Sequence, residues 1–219
     1  MAEGFVSRGF RGRPRAPGGG RVPPGQYLTT DFPVLSAGPT PRTPAADWSF
    51  TVRGWTDGPA GEPGERADVG PSARWTWDEF RALPSVSVTK DIHCVTKWTK
   101  FDTRWEGVSV DALLAAADAA GVARAAYVVA FCDGGYTTNL PIADVTGDKA
   151  WVVFGYDGAP LAPEHGGPAR LLVPHLYFWK SAKWVRGLAL SDRDRPGFWE
   201  SLGYHNRGDP WQEQRYSGD

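Results

Sequence analysis

A chain of 219 residues can bury roughly 70% of the surface its unfolded form exposes, so its core needs no metal or disulfide staple. The formal net charge of −1 excludes the basic face of a dedicated nucleic-acid binder. No apolar run approaches the ~18 residues of a membrane span. The 27 Gly, 19 Pro and 11 Trp point to a loop-rich fold with helix in the minority.

Residues 1–26 are Arg, Gly and Pro with little to bury, and are expected to form a flexible arm ahead of one domain over 27–219. Its Arg8, Arg11, Arg13 and Arg15 are followed by no apolar stretch, so no signal peptide is expected. From Tyr27 to Leu35 the chain turns apolar and extended, and Trp48–Trp55 alternates as a half-buried strand. Asp57–Pro71 is expected to be a surface loop. Thr76 and Glu79 make a capping box for a helix over 77–83, which Pro84 ends.

Val86 starts a strand that runs towards Cys94, followed by a cationic and aromatic loop carrying Lys97, Trp98, Lys100, Arg104 and Trp105. Ser109 caps a helix through Ala120, with Val110, Leu113, Leu114 and Ala117 on its apolar face. Further strands are expected over 126–131, 151–156, 170–174 and 183–190. The turn at 132–136 (CDGGY) must hold a polar group close to the core. Short strands with a few short helices between them predict an α+β fold.

The two cysteines, Cys94 and Cys132, do not make a secreted disulfide framework, so free thiols and a cytoplasmic location are expected. Cys94 has three readings: an apolar core residue, a nucleophile, or a soft thiolate ligand to a metal. The cations after it lower a thiol pKa, whereas His93 on the same strand points to the opposite face. No zinc spacing and no Gly-rich phosphate loop opening a helix is present.

Four stretches, HCVTKWTKFDTRWEGVSVDALL, GYTTNLP, AWVVFGYDGAPLAPEHGGPARLLVPHLYFWKSAKWV and GYHNRGDPWQEQRY, occur in an order that resembles the bacterial single-domain members of the sulfite-oxidase family. The resemblance covers about Tyr27 to Tyr216 and implies a mixed α+β domain that binds molybdenum–molybdopterin without a nucleotide extension. It implies that Cys94 is the protein thiolate on molybdenum. It places pterin anchors at Phe32, Pro33, Val34, Asp133, His165, Arg170, Ser181, Ala182 and Lys183. Arg170 and Lys183 can neutralise a terminal phosphate, which the backbone N–H groups of Ser181 and Ala182 would hold. Tyr136 aligns with the tyrosine such enzymes set beside the metal's oxo group, where it would donate a hydrogen bond. Lys97, Trp98 and Arg104 would wall the substrate pocket and favour an anionic or strongly dipolar substrate.

The implied reaction is two-electron oxygen-atom transfer to or from a small molecule, either a sulfite-like anion or an S- or N-oxide. A monomer served by a separate electron-transfer partner is expected. Two other readings are a non-catalytic cofactor-binding or interaction domain of the same fold, and a cysteine-dependent hydrolase or transferase.

Overall fold

The computed structural model describes residues 20–54 and 72–219. The loop expected over 57–71 and residues 1–19 of the arm lie outside the described residues. Two sheets carry the fold. In the first, the long strand β5 (Trp98–Ser109) pairs with β4 (Ser85–His93) and β8 (Trp151–Tyr156), and β8 pairs with β10 (Arg170–Leu172). The two-residue strands β1 (Tyr27–Leu28) and β9 (Ala159–Pro160) extend it. In the second the order is β3 (Ser72–Thr76), β2 (Ser49–Gly54), β11 (Val185–Ser191), β6 (Tyr127–Cys132) and β7 (Thr137–Pro141). The β1–β5 and β2–β11 pairs are parallel and the rest antiparallel. This is the expected α+β architecture.

The helices form where their caps dictate. In α1 (Trp77–Ala82) both halves of the capping box are made, and Phe80 is its buried side chain. In α2 (Val110–Ala119) the Ser109 hydroxyl accepts from Ala112 N at 3.2 Å, worth about 1 kcal/mol. Its buried residues are Val110, Leu113, Leu114 and Ala117, which join Phe50, Val52, Val128 and Leu188 in the main core. A third helix, α3 (Phe198–Ser201), is a single turn.

One expectation is corrected. The loop drawn after Cys94 is a tight turn followed by the longest strand of the molecule. Cys94 N donates to Trp98 O and Lys97 N to Cys94 O, so Cys94 sits at the tip of the β4–β5 hairpin, and Lys97 completes the turn with φ at 75°. The β5 pattern hides its period of two because an extra residue is inserted between Lys100 and Thr103, opposite Lys90 and Ile92. Residues seven apart on a regular strand face opposite ways. The bulge restores the parity, so Trp98 and Trp105 share one buried cluster.

The chain is tied to the domain from Arg21 onward. Arg21 pairs with Asp91 at 2.5 Å and Asp102 at 2.7 Å and lies over the Phe101 ring. Gln26 is buried, donating to Cys94 O at 3.1 Å and accepting from Thr99 Oγ1 at 2.8 Å.

The C-terminal segment is held by Asp144, which meets Arg207 Nε at 3.1 Å and His175 Nε2 at 3.4 Å. The His175 hydrogen bond first, then Arg207, bring this carboxyl down to about 2 against burial, which opposes them. A depressed carboxyl stabilises the fold above its unfolded pKa of about 4, and that contribution fades as pH falls through the folded value of about 2. Discounted for the half-exposed Arg207, the effect is about 1–2 kcal/mol. Asp144→Asn should cost that much in urea unfolding at neutral pH, and the gap to the parent should close in strong acid.

Candidate functional site

A cavity of about 490 Å³ lies where the Cys94 hairpin, the turn after β6, the segment after β10 and residues 32–41 meet. Cys94 is 7% exposed on its wall. The Thr96 hydroxyl donates to its sulfur at 3.1 Å. Burial still raises the thiol pKa, while that hydroxyl and the Lys183 charge oppose it. A neutral thiol is a weak acceptor, so a hydroxyl donor aimed at the sulfur suits a thiolate.

Cys132 has the opposite surroundings. Burial and the neighbouring Asp133 push its thiol well up, and only the Arg170 charge opposes them. His93 is turned away from Cys94, with Nδ1 on Thr99 Oγ1 at 3.0 Å, and burial lowers its pKa to about 4. It is no general base for this sulfur.

Also on the cavity wall, Arg170 is 1% exposed, and among the described residues no carboxylate lies within ion-pair distance of it. Its guanidinium donates to His165 O at 2.8 Å and Ser181 O at 2.5 Å and lies 4.0 Å from the Phe178 ring centre. Lys183 Nζ donates to Leu35 O and Glu164 O, both at 2.7 Å. Burial lowers Arg170 to about 9; burial and then Arg170 lower Lys183 to about 8. A buried guanidinium that depresses a neighbouring ammonium in this way is stabilised by an anion between the two.

Eleven of the residues expected at the site line this cavity. They are Cys94, Trp98 and Tyr136, with Phe32, Pro33, Asp133 and His165, and then Arg170, Ser181, Ala182 and Lys183. Phe32 stacks on His165 with ring centres 3.9 Å apart. Val34, Lys97 and Arg104 do not line it. Val34 is 48% exposed beside Leu35, which does reach the cavity. Lys97 stands exposed on the hairpin turn. Arg104 is held on the outer face of β5 by Asp157 at 2.8 Å. Ser181 N–H is also spoken for, since it donates to Phe178 O and closes a 3-10 turn.

Sequence reasoning passed over Thr96, Phe178, Trp179, Trp199 and Tyr204, all of them on the cavity wall. A hydroxyl two residues after a candidate thiolate was the available signal for Thr96.

The family of oxidoreductase molybdopterin binding domains matches residues 37–199. The chain belongs to this family. The uncharacterized oxidoreductase YuiH of Bacillus subtilis is 42% identical over 202 residues, covering 91% of this chain and 94% of that protein. A putative protein-methionine-sulfoxide reductase subunit, YedZ1, of Azospira oryzae is 32% identical over 132 residues, 60% of this chain and 49% of that one. Among solved structures, the sulfane dehydrogenase SoxCD of Paracoccus pantotrophus shares the fold, with a TM-score of 0.57 and 22% identity over 71% of this chain and 41% of that chain. The protein is thus a molybdopterin-dependent oxidoreductase of sulfite-oxidase type, and its cofactor is molybdenum–molybdopterin. No helix among the described residues is long and apolar enough to cross a membrane.

The cavity fits that cofactor. Trp98 Nε1 and His165 Nδ1 are buried polar atoms on its wall without a hydrogen-bond partner, a costly state that a heteroatom-rich ring relieves. Gly134 and Gly135 follow one another at φ 78° and 82°, and a Cβ at either would meet nothing within 4 Å. That backbone needs glycine and leaves open space on the cavity wall.

Proposed function

We propose that the protein reduces a small neutral S-oxide or N-oxide, with Cys94 as the thiolate on molybdenum. The place of Cys94 on the cavity wall, with the Thr96 hydroxyl donating to its Sγ at 3.1 Å, carries the ligand assignment. When bound, the molybdenum–pterin supplies two-electron oxygen-atom transfer. The chain's own part is to bind and orient. Arg170 and Lys183 would hold the cofactor's phosphate, the Trp98 and His165 ring nitrogens would hydrogen-bond its heteroatoms, and Phe32 would pack beside it.

The remaining wall is aromatic. Phe178, Trp179, Phe198, Trp199, Tyr136 and Tyr204 line it, and the two cations once expected there are elsewhere. Apolar rings hold a neutral dipole better than a small oxyanion, whose desolvation they do not repay. In balance, the S–O or N–O bond breaks, sulfur or nitrogen leaves with its lone pair, and oxygen leaves as water after taking two protons. Two electrons come from a separate carrier protein, with which the chain works as a monomer.

This reading displaces the anion-binding role of Lys97 and Arg104. Lys97→Ala and Arg104→Ala should each leave KM within about twofold, the scale of an exposed charge. A cysteine-dependent hydrolase loses support because His93 faces away from the sulfur.

The test is elemental analysis for molybdenum with pterin fluorescence, followed by dye-coupled turnover. Near one molybdenum per chain, with reduced dye oxidised by dimethyl sulfoxide or trimethylamine N-oxide, supports the reading. Turnover of sulfite alone would overturn the substrate class.

A further inference from the structure

The turn that carries Cys94 is held at more points than a hairpin needs. Cys94 N donates to Trp98 O at 2.8 Å and Lys97 N to Cys94 O at 2.9 Å, which makes Cys94-Val95-Thr96-Lys97 a hydrogen-bonded turn. Lys97 ends it at φ 75°, a conformation that a residue other than glycine keeps only where its surroundings hold it there. Gln26 does part of that holding. Its Nε2 donates to the Cys94 carbonyl at 3.1 Å, and its Oε1 accepts from Thr99 Oγ1 at 2.8 Å. The tip is a firm seat, and Thr96 occupies its third position.

Thr96 Oγ1 stands 3.1 Å from Cys94 Sγ, and among the described residues this hydroxyl makes no other hydrogen bond. The sulfur is 7% exposed, so little water competes for it. Of the influences that oppose burial at this thiol, the Thr96 hydroxyl is the largest. As a free thiol, Cys94 carries a proton of its own, and either partner can donate. A thiolate on a metal carries none. The direction of the bond is then fixed, with the hydroxyl donating and the sulfur accepting. A hydrogen bond to a coordinating sulfur draws electron density from it and favours the reduced metal over the oxidised one.

We propose that Thr96 is a positioning residue that acts on the metal through Cys94: its hydroxyl holds the sulfur as a weaker electron donor and so raises the reduction potential of the molybdenum. The proposal rests on the reading of Cys94 as the metal's thiolate. A metal that is easier to reduce suits an enzyme that collects two electrons from a separate carrier before it meets an oxide.

The test compares loaded, full-length parent, Thr96→Val and Thr96→Ser by redox titration and by the sulfur-to-molybdenum charge-transfer absorption. That band is assigned by its loss, per bound molybdenum, in Cys94→Ser. Valine keeps the volume and branching of threonine and removes the hydroxyl proton. In Thr96→Val the balance between reduced and oxidised metal should move about tenfold towards the oxidised form, the lower end for a hydrogen bond to a charged group. For a two-electron couple that is a fall of about 30 mV. The band should move to lower energy, because a sulfur without its donor gives up electron density more readily. Thr96→Ser returns the hydroxyl without the methyl and should restore both readings, which a packing effect would not allow. Should Thr96→Val load too little molybdenum to titrate, Thr96→Ala decides by the same two readings. A parental potential and band in the variant without the hydroxyl overturns the proposal, and so does a Thr96→Ser that behaves like Thr96→Val. A band that survives Cys94→Ser overturns the reading of Cys94 as the ligand, which separates the two failures.

Discussion

Cys94→Ser should fold, bind less molybdenum and lose turnover by roughly 10²–10³, the scale of removing one electrostatic group from a reacting centre. Serine has nearly the volume of cysteine, and its hydroxyl inherits the Thr96 donor, so the stability cost should be about 1 kcal/mol. What it lacks is a soft, ionisable donor for the metal. Cys132→Ser is the control. Its hydroxyl enters a buried position beside Asp133, with a stability cost of about 1–3 kcal/mol, and turnover should be retained. Molybdenum content and dye-coupled rate are measured on all three proteins. Parental turnover in Cys94→Ser would sink the ligand assignment.

Arg170→Met should have opposite consequences for the two states of the protein. Without cofactor, the guanidinium is a buried charge served by carbonyls and by the Phe178 and Trp105 rings. Exchanging it for an apolar chain of similar reach removes a desolvation cost and leaves the His165 and Ser181 carbonyls unpaired. The two offset, and the change should lie within about 2 kcal/mol. With cofactor, the substitution should delete the charge partner proposed for the phosphate, a loss of about 2–5 kcal/mol, or roughly 30-fold or more in affinity. A ligand present at a thousand times its Kd raises stability by about 4 kcal/mol. The rise in Tm on loading should therefore shrink sharply in Arg170→Met. Equal thermal shifts in parent and variant would remove Arg170 from the cofactor.

The parts of the fold legible in the sequence were those governed by local rules. Thr76 with Glu79 and Ser109 with Ala112 are contacts within one turn, so residue type and spacing were enough. The turn at 132–136 declared itself through two adjacent glycines, which the positive φ angles require. Strand β5 did not, because its bulge inverts the side-chain alternation midway and its outward cations suggested a loop. The family resemblance placed Lys97 and Arg104 in the pocket; the structure leaves Lys97 exposed on the hairpin turn and Arg104 paired with Asp157. Lys180 and Glu200, a buried pair 2.6 Å apart, were silent for another reason. Twenty residues separate them, and a Lys and a Glu in isolation read as solvated surface.

The order of the chain around the cavity has a consequence for biosynthesis. Phe32 and Pro33 stand on one wall and Phe198, Trp199 and Tyr204 on another, with the Cys94 hairpin between them in sequence. A ribosome-bound chain that has exposed everything through Lys183 has the thiol and both cations, yet it still lacks the aromatic wall and the Glu200 carboxylate that accepts from the Trp179 indole. The pocket exists only once nearly the whole domain has emerged and its two ends have met. Loading the cofactor is thus a step for a polypeptide whose C-terminal wall has already been made.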